Sequence, residues 1–245
     1  SPHNPTGVVY DEQTLKDIVD LALEKDFFVV YDENHFPEVY DGRKHLPIHL
    51  FDNKNSIMLG SLSRLALQGD RIGWAILPKS QKDLASKYTF LSPFTSTRSQ
   101  KLATFVLNNY EELEFDEEFR KYEEKRNWFV PELNKLRGFE CSLPEGTSYA
   151  FPNIKKFVDE NRVMLEKIVL DESKKRELSE EEINFSLRND SVLAYKFLLY
   201  DVGVGTVPGI AYGPQSDEYL RFTFSVEEKD LREAVGRMKA KLEVK

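Results

Sequence analysis

Five consecutive apolar residues, Phe27-Phe28-Val29-Val30-Tyr31, follow an amphipathic segment and stop at Asp32. A short run rich in β-branched and aromatic residues reads as a strand, and unbroken apolarity is the pattern of a strand covered by helices on both faces. The preceding segment supports this. Asp11 is a good N-cap, and Leu15, Ile18, Val19 and Ala22 recur at helical spacing, with an end expected near Lys25. Ser56 to Gly60 and Ile72 to Leu77 repeat the strand signature, so the first 80 residues read as part of an α/β sheet with buried, mainly parallel strands. Ligands in such sheets bind at the carboxyl ends of the strands, where this chain carries Asp32 to His35 and Ser61 to Arg64.

Helical patterns dominate from Ser80 to about Leu136, with a charged stretch from Asp116 in which Pro131 is expected to kink the helix. From Gly138 the texture changes to short strand candidates, 139–143 and 148–151, separated by the turn signal Pro144-Glu145-Gly146. The expected organisation is therefore residues 1–136, an α/β region ending in a long connecting helix, and 137–245, a small α+β domain. The charged residues 159–189 read as a solvated helical insertion, and Ser225 with Glu228 as a capping box for the last helix.

With 40% apolar residues over 245 positions the chain can bury a real core, and its net charge of −8 argues against a nucleic-acid partner. No apolar run approaches the ~20 residues needed to span a bilayer, so a cytoplasmic protein with no membrane partner is expected. The single Cys141 reads as a packed thiol, and His3, His45 and His49 as turn or surface residues, with no metal site. An opening turn with no initiator Met suggests a fragment or one half of a split protein.

Asn4-Pro5-Thr6-Gly7, a strand ending in Asp32, a strand ending in Ser61-Leu62-Ser63-Arg64, then Gly69-Asp70-Arg71-Ile72-Gly73 and a late Tyr219-Leu220-Arg221-Phe222 occur in one order and spacing. Together they resemble the class I/II aminotransferases of the fold-type I pyridoxal-phosphate family, over almost the whole chain. The resemblance implies a partial large domain, the C-terminal part of the cofactor-binding domain, followed by the family's small domain. It implies pyridoxal 5'-phosphate as cofactor, an amino acid and 2-oxo acid as substrates, and a homodimer or a complementing N-terminal half as partner. It further implies that Asp32 faces the ring nitrogen, that Asn4 bonds the ring hydroxyl oxygen, that Ser61, Ser63 and Arg71 hold the phosphate, and that Arg221 grips the substrate carboxylate.

Two positions depart from the family pattern. His35 stands where the family has a tyrosine that bonds the ring oxygen; an imidazole can donate there from a shorter side chain. Arg64 stands where the family has the lysine that bonds the cofactor covalently and shuttles a proton; a guanidinium stays protonated and is a poor nucleophile. The expectation is an aminotransferase-like protein whose covalent attachment and turnover are in question. The alternative is a non-catalytic protein that keeps the fold for ligand binding or assembly.

Overall fold

Helix α1, Glu12–Lys25, starts where the Asp11 carboxylate accepts from the Thr14 amide at 2.7 Å and ends where Asp26 turns left-handed, φ 53°. Its buried stripe is Leu15, Val19 and Ala22, the face that meets the sheet. The computed structural model describes residues 1–51, 54–65, 67–91 and 95–244. Among them the chain divides into two compact units, one formed by Ser1–Asn4, Val8–Lys121 and Glu145–Thr147, the other by Pro5–Gly7, Tyr122–Pro144 and Ser148–Lys245. The division falls inside helix α4, Phe115–Asn134, whereas the expected boundary at residue 136 lies within the second unit.

In the first unit, strand β1 (Val29–Asp32) pairs in parallel with β2 (Ser56–Ser61), and β2 pairs antiparallel with β3 (Gly73–Ile76). Tyr31 lies opposite Met58, and both join Leu15, Val19 and Ile48 in a buried cluster beneath α1. Because strand side chains alternate between faces, Val30 points the other way, and it is 60% exposed. Phe27, Phe28, Trp74 and Ile76 are exposed as well. Burial on both faces, expected from the unbroken apolar run, is thus found on one face only in this chain. Trp74 lies opposite Gly60, where a β-carbon would stand 2.5 Å from the indole. Helices α2 (Lys82–Leu91) and α3 (Thr97–Asn108) follow.

The second unit holds an antiparallel sheet in the order β4 (Tyr149–Ala150), β6 (Leu220–Thr223), β5 (Val207–Pro208). The strand expected at 139–143 is a single bridge, Glu140 to Asn153. The reason is local: the Asn134 side chain accepts from the Cys141 amide at 2.7 Å and donates to its carbonyl at 2.9 Å, taking the groups a ladder would use. Helix α4 runs through Pro131 to Asn134. The charged segment is not simply a solvated insertion. Helix α5, Lys155–Arg176, buries Phe157, Val158, Leu165 and Val169, and α6, Glu180–Arg188, starts with a capping box of Ser179 and Glu182. Helices α7 (Asp190–Phe197) and α8 (Glu228–Lys241) complete the unit. The box expected at Ser225 and Glu228 is absent: Glu227 is the N-cap, without a side-chain bond, and the Ser225 hydroxyl pairs with Thr223. No helix among the described residues is long and apolar enough to cross a membrane.

Candidate functional site

The parallel pairing of β1 and β2 brings two polar strand ends side by side. At the end of β1 the Asp32 side chain is exposed in a turn that it stabilises itself, accepting from the Asn34 amide at 2.8 Å and from Asn34 Nδ2 at 3.3 Å. At the end of β2 the Ser61 hydroxyl oxygen accepts from the Ser63 amide at 2.9 Å while donating to Ser63 Oγ at 2.8 Å. The chain then turns back into β3 through Arg71, a non-glycine residue held at φ 52°. Such a conformation costs on the order of 1 kcal/mol or more and persists only where the surroundings impose it. Arg71 Nη1 donates to the Gln68 carbonyl at 3.3 Å.

Ser61, Ser63 and Arg71 line one open cavity of about 400 Å³, together with Asn34, Gly60 and Trp74. Hydroxyls and an exposed guanidinium around a hollow at strand ends are suited to the oxygens of a phosphate. Asp32, His35, Arg64 and Asn4 do not line that cavity. Asn4 is exposed in the turn that opens the chain.

His35 and Arg64 meet elsewhere, on a carboxylate the sequence reading did not single out. His35 Nδ1 lies 2.9 Å from Glu38 Oε2, and Arg64 Nη1 lies 3.6 Å from Glu38 Oε1. The Glu38 side chain is 2% exposed and that of Arg64 21%. A second pair joins Glu33 to His45. His45 Nε2 is 3.2 Å from Glu33 Oε1, both side chains being buried, but the contact is out of line for a hydrogen bond and neither atom has another. His45, expected as a turn or surface residue, has a buried side chain whose ring packs on Tyr31 and Phe36. Burial pushes the Tyr31 hydroxyl up to about 12. His49 Nδ1 lies 3.2 Å from Met58 Sδ.

Arg221 belongs to the second unit, on β6. Its guanidinium lies 4.1 Å from the Tyr149 ring centre and 5.5 Å from that of Tyr212. Two aromatic faces hold a planar cation in place. Tyr212 ends a short helical turn, Gly209–Tyr212, whose start has no room for a side chain: a β-carbon on Gly209 would fall 1.9 Å from the Ser216 carbonyl oxygen. Burial raises the Tyr212 hydroxyl pKa above its ordinary value, and the Arg221 charge opposes the rise. Tyr149 and Tyr212 were not foreseen. Their signal was present only as aromatics scattered along the chain, which no local pattern connects to Arg221.

These features define an α/β protein with a polar hollow at its strand ends and an aromatic-bracketed arginine in a separate small unit. The chain belongs to the class I and II aminotransferases, whose family profile matches residues 1–238. Members of this family use pyridoxal phosphate. The chain is 26% identical over 245 residues to an aspartate aminotransferase of Pyrococcus horikoshii, covering 99% of this chain and 55% of that one. It is 29% identical over 249 residues to a probable aspartate/prephenate aminotransferase of Aquifex aeolicus, covering 99% and 56%. Among solved structures, a single mutant of Thermus thermophilus aspartate aminotransferase superposes with a TM-score of 0.76 at 26% identity, over 97% of this chain and 54% of that one. The chain thus spans about half the length of the relatives it matches.

Proposed function

We propose that this chain supplies the cofactor-ring, phosphate and carboxylate contacts of an aminotransferase-like protein that holds pyridoxal phosphate without a covalent bond and takes an amino acid or its 2-oxo acid. The observation that carries this reading is the cavity lined by Ser61, Ser63 and Arg71 beside the strand that ends in Asp32. Its donors fit a phosphate and its neighbouring carboxylate fits a protonated ring nitrogen. When bound, the cofactor supplies the carbonyl carbon and the electron-withdrawing ring needed to exchange an amino group.

Each residue then has a task that its chemistry allows. Ser61 and Ser63 donate hydroxyl protons to phosphate oxygens, and Arg71 offers two parallel N–H groups. Asp32 keeps a proton on the ring nitrogen by placing a negative charge beside it. Asn4 donates to the ring hydroxyl oxygen. Arg221, held flat by Tyr149 and Tyr212, pairs with the ligand's α-carboxylate and orients it. Arg64 neither releases a proton nor forms the covalent link, so amino-group exchange depends on another base.

Titrating the protein with pyridoxal phosphate tests the first part. Binding is expected to weaken at least tenfold in S61A/S63A and in Arg71→Gln, since each removes a charge-assisted contact worth roughly 1.5–3 kcal/mol. Unchanged affinity in both variants would refute the cavity as the phosphate site. The second reading, ligand binding without turnover, is favoured by the engagement of Arg64 with Glu38. Incubation with cofactor, glutamate and a 2-oxo acid decides between them: transfer of the amino group supports the enzyme, and binding with no transfer supports the second.

A further inference from the structure

Glu38 has no part in the roles assigned above, yet at 1% exposure it is the most deeply buried acidic residue among those described. Its main chain is pinned on both sides, the amide donating to the His35 carbonyl at 2.8 Å and the carbonyl accepting from the Thr147 amide at 2.9 Å. Its two carboxylate oxygens are divided between His35 Nδ1 and Arg64 Nη1.

We propose that Glu38 is a positioning residue beside the phosphate cavity, not in its lining: one buried carboxylate fixes His35 and Arg64 together and makes position 64 a site for a permanent cation, where a lysine would be held protonated and unreactive. A carboxylate removed from water demands a charge partner. An opposite charge within roughly 4–6 Å favours the protonated form of an amine, and a protonated amine is no nucleophile. Arginine satisfies Glu38 without ever giving up its proton. Reactivity of a lysine at position 64 would therefore depend on residue 38 as well. The same bond fixes His35: with the Nδ1 proton directed at Glu38, the neutral ring offers only a lone pair at Nε2, and a donor at that atom requires the imidazolium.

His3 lies near His35, Glu33 lies against His45, and Arg71 is directed to Gln68 rather than Glu38. The proposal rests on the cofactor-pocket reading for its significance only. Its test uses ligand-free protein, so the two stand or fall separately.

The variants are R64K, E38Q and R64K/E38Q. In protein carrying lysine labelled at Cε, the resonance absent from the parent protein reports the introduced amine without modifying it. It is expected to titrate about one to three pH units higher in R64K than in R64K/E38Q. Coincident titrations overturn the proposal. Should a lysine variant fail to fold, the unfolding equilibria of E38Q, Arg64→Met and the double change form a second cycle. Non-additivity of about tenfold or more in the unfolding constant is expected of directly coupled charges, and additive effects overturn the proposal equally.

Discussion

Asp217→Ala is the substitution through which the architecture around Arg221 can be probed without touching Arg221. The N-cap residue of α7, Asn189, makes no side-chain capping bond. Its place is taken from a distance: Asp217 Oδ2 accepts from the Asp190 amide at 2.9 Å, and Oδ1 accepts from the Ser191 amide at 3.2 Å and the Ser191 hydroxyl at 2.6 Å. Ser191 in turn accepts from the Ile210 amide at 3.2 Å, in the short turn that carries Tyr212. Losing a helix cap costs about 0.5–2 kcal/mol, and losing a negative charge at a helix start adds about 0.3–1. The Ser191 hydroxyl, fully buried, is left without its acceptor at a further cost of about 1–3 kcal/mol. These effects overlap, so the expected loss is about 2–4 kcal/mol. In Asp217→Asn, which keeps an acceptor but not the charge, it is about half that. Urea unfolding measures the loss, and hydrogen exchange at Asp190 and Ser191 localises it. A change below about 0.5 kcal/mol with unaltered protection of those two amides would show that the carboxylate does not cap α7. If the cap acts as described, affinity for an amino acid weakens together with stability, because the turn beneath Tyr212 is anchored on the same hydroxyl.

Other changes give sharper local readouts. Gly60→Ala places a methyl 2.5 Å from the Trp74 indole; because that ring is 39% exposed it can swing aside, so about 1–2 kcal/mol is expected, with a shift in tryptophan emission and weaker phosphate binding. Burial pushes the Cys141 thiol from 9.0 up to about 11, so it is expected to resist a thiol reagent at pH 8 until the chain unfolds. The sign of its effect on stability follows. The unfolded thiol loses its proton near pH 9 while the folded one keeps it, so stability present below about 9 is lost as pH rises towards 11, relative to Cys141→Ala. Asp32→Asn is expected to lower amino-group transfer at least a hundredfold while changing cofactor affinity by less than tenfold, as measured by steady-state rates and titration. Equal losses in both would mean that the carboxylate only binds.

What the sequence disclosed, and what it withheld, follows from the range of each interaction. Helix α1 was legible in full because its cap, Asp11 to Thr14, and its buried stripe are set within one stretch of chain. The ends of β1 and β2 were equally legible, since a run of apolar residues that stops at Asp32 or Ser61 marks its own terminus. The aborted strand at 139–143 was not legible, because Asn134 competes for its backbone groups from the end of a different element. Glu38 was missed for the same reason. In sequence it is an ordinary acidic residue in a polar turn, and nothing local says that the fold closes over it and brings Arg64, 26 positions later, to its edge.

That contact alters the meaning of the arginine. Read alone, Arg64 stands where the resemblance implies a lysine. Paired with a carboxylate that is 2% exposed, it becomes one half of a charge-balanced unit that cannot be undone at one end without stranding the other. Removing one partner of a fully buried ion pair costs about 3–5 kcal/mol; the cost here falls on the loss of Arg64, which leaves the buried Glu38 carboxylate with His35 alone. A single change of Arg64 to lysine would keep a cation beside Glu38 and preserve that balance. It would also leave the amine where its proton is most strongly retained, so reactivity at position 64 is a property of residues 38 and 64 jointly.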